Sequence, residues 1–186
     1  MAKSKSKILQ APKGMHDILP QDQPWWDKIR KELNFISSNY NFLRIETPAL
    51  EFEEVFEKSL GATSDIVEKQ MYTLKTKGGD LLALRPEFTP GIVRSYIQHG
   101  MINLPQPVKL YAYGPLFRYE HPQAGRFRQF NQIDFEVFGE QSAALDAQII
   151  QIFYVILKEL KFSHLIIEVN SIGDSQCRPY YKKLLA

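Results

Sequence analysis

Apolar residues fall at three- to four-residue spacing over residues 21–39, where Trp25, Trp26, Ile29, Leu33 and Ile36 predict one face of a helix. The run PKGMHDILP before it carries turn residues and predicts a loop. A short strand is predicted over 42–47, stopped by Pro48, and an acidic helix over 51–59. After the loop GATSD, residues 70–74 and 81–84 predict two strands around the turn KTKGGD. A helix follows over 88–99, with Pro90 tolerated in its first turn. Strands over 108–119 and 126–138 flank a loop at 120–125. A helix over 143–161, a strand over 164–169 and a helix over 174–185 close the pattern. Strands joined by short loops predict antiparallel pairing, hence an α+β fold rather than a series of βαβ units.

The stretch from Phe117 to Gly139, FRYEHPQAGRFRQFNQIDFEVFG, is unusual for a hairpin. Side chains alternate between the faces of a strand. Over 126–138 the even positions are Arg126, Arg128, Phe130, Gln132, Asp134, Glu136 and Phe138, a polar face carrying aromatic rings. The odd positions end in Ile133, Phe135 and Val137, which predicts the core face. On the preceding strand Arg118 and Glu120 share the parity of Leu116. Pairing the strands would bring them onto the face of Arg128, Phe130, Gln132 and Glu136. Cations, a flat ring and hydrogen-bonding groups on one face suit a ligand with phosphates, a base and an ammonium group. A solvated sheet face with cross-strand Arg–Glu pairs gives much the same pattern. Phe130 and Phe138 weaken that alternative without removing it.

Composition bounds the choices. Hydrophobic residues at 44% and charged residues at 24% of 186 residues lie in the range of a globular domain with a core. A net charge of +2 gives no bulk nucleic-acid footprint, although a local basic groove is compatible with it. The single cysteine, Cys177, excludes an internal disulfide framework and a Cys-rich zinc site, which with the absence of a signal-peptide pattern points to the cytoplasm. No apolar run approaches the roughly 20 residues of a membrane span. His16, His99, His121 and His164 lack metal-ligand spacing, so no protein-held metal site is expected. Glycine-rich nucleotide loops are absent too. Residues 1–11, opening with MAKSKSK, read as a basic tail, and 12–186 as one globular unit.

The segment GPLFRYEHPQAGRFRQFNQIDFEVFG resembles motif 2 of the class II aminoacyl-tRNA synthetases, and in detail the histidyl-tRNA synthetase family. PKGMHDILP is similar to that family's N-terminal signature. FLRIETPALE resembles motif 1, with Pro48 as its proline. GATSDIVEKQMYTL, LALRPEFTPGIVRSYIQHG and IEVNSIGD follow in the family's order and spacing. The resemblance implies a class II synthetase-like antiparallel β-sheet flanked by helices. It implies activation of histidine by ATP to histidyl-adenylate, then transfer to tRNA(His), with Mg2+ sharing the phosphate charge. It also implies a homodimer formed through the motif 1 region. The attacking carboxylate is already ionised near pH 7, so the first step needs alignment of two anions more than proton transfer.

Carried over by position, the resemblance makes Arg118 the catalytic arginine, holding the α-phosphate and the substrate carboxylate. Glu120 would lie near the adenine amino group, Arg126 at the terminal phosphates and Phe130 on the adenine ring. Glu87, Thr89 and Gln132 would surround the substrate ammonium group, with Phe88 contributing backbone, and Glu136 would face the imidazole. The simpler alternatives are a cross-strand salt bridge for Arg118, solvated loop charges for Glu120 and Arg126, core packing for Phe130, and helix N-terminal charge complementarity for Glu87. The reading requires Arg118, Phe130, Gln132 and Glu136 to point into one cleft, with Phe127, Ile133, Phe135 and Val137 packed away from it.

The pattern departs from many relatives at His121 and Asn131, and at Phe88 and Pro90, where smaller residues are common. The family's motif 3 arginine, second histidine-binding segment and anticodon-binding domain would lie beyond Ala186. The chain is therefore expected to be a truncated catalytic domain of low activity alone. The alternative is a non-catalytic paralogue acting as regulatory subunit of ATP phosphoribosyltransferase. Retention of Arg118, Glu120, Arg126 and Phe130 argues against it, because such a subunit needs no ATP site.

Overall fold

The computed structural model describes residues 9–61, 63–170 and 173–185. A loop and a 3₁₀ turn at Pro20–Asp22 lead into helix α1, Gln23–Asn39, where Pro24 sits in the first turn at no cost in hydrogen bonds. Asn41 adopts positive φ and turns the chain into β1, Leu43–Arg44. β2, Leu50–Phe52, runs directly into α2, Glu53–Leu60, whose first turn is acidic and whose last turn carries Lys58, as the helix dipole favours. A π-type turn at Ile66–Gln70 precedes β3, Tyr72–Lys75, and β4, Leu81–Leu84. Helix α3 is Thr89–Gln98. The long strands β5, Val108–Phe117, and β6, Gln129–Phe138, follow. α4, Ala143–Glu159, starts at Ser142, whose hydroxyl accepts from the Ala144 N–H at 3.3 Å. α5 is Cys177–Leu185.

The strands form two three-stranded sheets, in the orders β1-β5-β6 and β2-β4-β3. Every pairing is antiparallel except β1 with β5, which is parallel. β5 and β6 pair along their whole length, from Val108 opposite Phe138 to Phe117 opposite Gln129. Even residues therefore face even residues across the hairpin. The odd face packs Tyr111 and Phe135 against Leu33 and Ile36 of α1 and Ile152 and Ile156 of α4. The Tyr111 hydroxyl donates to Asn34 Oδ1 at 2.6 Å, so the sheet is hydrogen-bonded to α1 as well as packed on it.

The even face differs from the sequence expectation of a polar surface. Its β5 half is apolar: Val108, Leu110, Ala112 and Leu116 pack against Phe88, Ile92 and Tyr96 of the α3 region. Phe138 stacks on Tyr96 with centroids 4.3 Å apart, so its place on that face is a packing requirement. Both faces of the hairpin are covered by helices, and only part of the β6 even face is left for chemistry.

Other expectations shift as well. Residues 164–169 form no strand: a strand needs a ladder partner, and among the described residues none lies beside this segment. Ile166 and Val169 are accordingly 84% and 72% exposed. The helix expected from 51 starts at Glu53, because Leu50–Phe52 pairs with β4. In β2 it is Glu51, not its apolar neighbours, that is buried, held there by an ion pair to Arg94 of α3. The expected strand over 126–138 is ordered as strand only from Gln129. The basic start, residues 1–8, lies outside the described residues.

Ile152 is fully buried between α4 and the odd face. Ile152→Ala is expected to cost about 2–5 kcal/mol in urea unfolding, while Lys158→Ala on the exposed side of α4 stays within about 0.5 kcal/mol.

Candidate active site

Three segments converge on the free part of the β6 even face. The first is the turn from β4 into α3. Arg85 anchors it: its side chain is buried, with Nη1 donating to the Thr47 carbonyl at 2.6 Å and Nε to the Pro115 carbonyl at 3.0 Å. Its guanidinium lies 4.6 Å from the centre of the Phe88 ring. Burial lowers its pKa, opposed by the Glu46 and Glu51 charges. Pro86, Glu87, Phe88 and Thr89 are thereby set against β5. Phe88 itself is buried in the core.

The second segment is β6. Thr89 Oγ1 donates to Glu136 Oε1 at 2.5 Å and lies 3.5 Å from Asp134 Oδ2. Burial raises the pKa of Glu87, Asp134 and Glu136 alike. For Glu87 the Arg118 cation opposes the shift and the Asp134 charge adds to it. For Glu136 the Thr89 hydrogen bond opposes the shift, while the Asp134 and Glu87 charges add to it. Gln132 lies on the same face between Phe130 and Asp134, half-buried and opposite Gly114. Asp134 was not singled out from the sequence, although parity had already put it on this face.

The third segment continues β5. Arg118 Nε donates to the Pro86 carbonyl at 2.9 Å, and its guanidinium lies 5.3 Å from the centre of the Phe130 ring. Among the described residues its two terminal nitrogens make no hydrogen bond, which leaves a planar fork beside an aromatic face. Arg118, Phe130, Glu87, Thr89, Asp134 and Glu136 thus form one continuous group. Ile133, Phe135 and Val137 pack on the opposite face, against α1 and α4. Phe127 joins neither set: its ring meets His16 edge-on at 4.0 Å.

Glu120 and Arg126 stand apart, in the loop between β5 and β6, where they form an ion pair with each other. With Lys69, Gln70, Tyr119, His121, Gln123 and Arg128 they line an open cavity of about 430 Å³. Arg128 Nε donates to the Glu120 carbonyl at 3.0 Å, and its guanidinium lies 3.9 Å from the Tyr119 ring centre. The loop's other support is the run PKGMHDILP: the Arg128 N–H donates to the Gly14 carbonyl at 2.7 Å. Gly14 has φ +83°, and a Cβ there would meet Arg128 Cγ at 2.9 Å, so glycine fits where a side chain would strain. Among the described residues no cluster of three or more His, Cys, Asp or Glu could hold a metal ion, and no helix is long and apolar enough to cross a membrane.

A family model described as histidyl-tRNA synthetase matches residues 14–173. The chain is 46% identical over 174 residues to a histidine–tRNA ligase of Dehalococcoides mccartyi, covering 94% of this chain and 42% of that protein. It is 47% identical to a histidine–tRNA ligase of Thermodesulfovibrio yellowstonii, covering 93% of this chain and 41% of that protein. The chain thus spans about two fifths of the length of these relatives. Among solved structures, apo histidyl-tRNA synthetase of S. aureus superposes with a TM-score of 0.79 at 36% identity, covering 96% of this chain and 41% of that one. An ATP phosphoribosyltransferase regulatory subunit/histidyl-tRNA synthetase from Bacillus halodurans superposes at 0.71 with 25% identity, covering 87% of this chain and 40% of that one.

The buried acids give a pH-dependent test. A carboxyl whose pKa is raised in the fold stabilises below its ordinary value, and that contribution is lost as pH rises through the raised value. Asp134→Asn is therefore expected to raise the melting temperature at about pH 7, and to raise it less at about pH 3.5. Thermal melts at the two pH values measure the difference.

Proposed function

From the premise that this chain belongs to the histidyl-tRNA synthetase family, we propose that its cleft takes histidine and ATP as the substrate-activating part of a histidine–tRNA ligase. The observation that carries this reading is the position of Arg118. Its free guanidinium fork lies between the Phe130 ring and the acid-lined group of Glu87, Thr89, Asp134 and Glu136. A cation at that place would bring together two anions, the substrate carboxylate and the α-phosphate, which otherwise repel. Carboxylate attack at phosphorus would then form the acyl–phosphate bond and release pyrophosphate, with developing oxygen charge met by Arg118.

Each neighbouring group has a part in that proposal. Phe130 offers its ring to adenine, with Arg118 already against one side of it. Glu87, Thr89 and Gln132 offer acceptors to the ammonium group, and Glu136 an acceptor to the imidazole. Arg126 would leave Glu120 for the terminal phosphates, which frees Glu120 to face the adenine amino group. Mg2+, when bound, would neutralise phosphate charge.

Assembly and location follow the same reading. Trp25, Phe35 and Leu43 on α1 and β1 are 69%, 63% and 70% exposed, apolar side chains in solvent that support a homodimer through the motif 1 region. The acceptor substrate is tRNA(His), and the proposed site of action is the cytoplasm. A regulatory subunit of ATP phosphoribosyltransferase is the competing reading, favoured by the likeness to the Bacillus halodurans protein.

ATP titration calorimetry separates the two. The chain is expected to bind ATP, and Arg118→Ala to weaken that binding at least about tenfold. Histidine binding without ATP binding would favour the regulatory subunit. Sedimentation equilibrium is expected to give twice the chain mass of 21.6 kDa, falling to a monomer with Phe35→Asp and Leu43→Asp together.

A further inference from the structure

Thr89 supplies one hydroxyl proton to two carboxylates. Glu136 receives it at 2.5 Å, and Asp134, at 3.5 Å, is left with at most a weak share. Asp134 accepts a backbone N–H from Phe135, yet its side chain is half-buried with acceptor capacity unused. The charged groups facing it are Glu136, two residues further along β6, and Glu87, from the turn before α3. Arg118 faces Glu87, and β5 opposite contributes only Ala112. This floor carries three carboxylates and one guanidinium, an excess of two negative charges. The α-carboxylate and α-ammonium of an amino acid cancel each other and leave that excess in place. A cationic ligand side chain would offset it.

We infer that Asp134 is a specificity-determining residue: with Glu136 it provides a second acceptor for the ligand's ring, so that the cleft takes histidine as its imidazolium, protonated on both nitrogens. This rests on the reading of the cleft as a histidine site. Neutral imidazole offers one N–H donor and one acceptor, whereas imidazolium offers two donors. Two carboxylates side by side match the second form. At a pH above the ordinary imidazole pKa, the extra proton is drawn from solvent on binding.

Calorimetry on the unsubstituted chain at about pH 7.5, repeated in buffers of different ionisation enthalpy, counts the protons. Histidine binding is expected to take up close to one proton. 1,2,4-Triazole-3-alanine, of the same shape but with a weakly basic ring, is expected to bind at least about tenfold more weakly. In Asp134→Asn, whose folding the thermal melt reports, histidine uptake of protons should fall and its preference over the triazole narrow about tenfold. A packing role alone would lower both affinities together and leave the proton count unchanged. Histidine binding with no proton uptake by the unsubstituted chain overturns the inference and leaves the histidine site standing. No histidine binding at all overturns both.

Discussion

The register between β5 and β6 is the constraint on which the rest depends. With a side-chain period of two, a slip of one residue would move Gln132, Asp134 and Glu136 onto the α1/α4 face and drive Ile133, Phe135 and Val137 into the cleft. Ten paired residues on each strand, clamped between two apolar layers, make that slip prohibitively costly. Opposite Gly114, Gln132 has only backbone across the ladder, and Ala112 leaves similar room opposite Asp134. Small residues on one strand thus make space for polar ones on the other.

The turn before α3 completes the site because it is fastened from behind. Arg85 spends its guanidinium on the carbonyls of Thr47 and Pro115, tying the β1–β2 connection and β5 to this turn. Arg118 repeats the device at Pro86, but with one nitrogen, and among the described residues its two terminal nitrogens make no hydrogen bond. Two arginines of similar surroundings thus divide into a structural one and a chemically available one. Nearby, three half-buried carboxyls are held at some cost to stability, the usual sign of groups kept for binding rather than for folding.

Much of this was legible in the sequence. Parity alone separated Phe130, Gln132, Asp134 and Glu136 from Ile133, Phe135 and Val137, because it depends only on backbone geometry. The resemblance then pointed to Glu87 and Thr89, which local pattern would not have linked to residues some 45 positions later. What failed had tertiary causes. Glu51 reads as the start of an acidic helix until Arg94 is placed beside it. Val108, Leu110 and Leu116 form a second core layer only once α3 lies across the hairpin. Residues 164–169 have strand-like composition without a ladder to join. Asp134 is on the right face by parity, but local pattern does not show the Thr89 hydroxyl lying between two acids.

The central claim is that one cleft, built on the even face of β6, holds both halves of an aminoacyl-adenylate. A crystal structure of the chain with a non-hydrolysable histidyl-adenylate analogue tests it most directly. The account predicts adenine against Phe130, the phosphate at Arg118, and the imidazole between Asp134 and Glu136. An analogue bound elsewhere, or bound with its imidazole away from the three carboxylates, would contradict it.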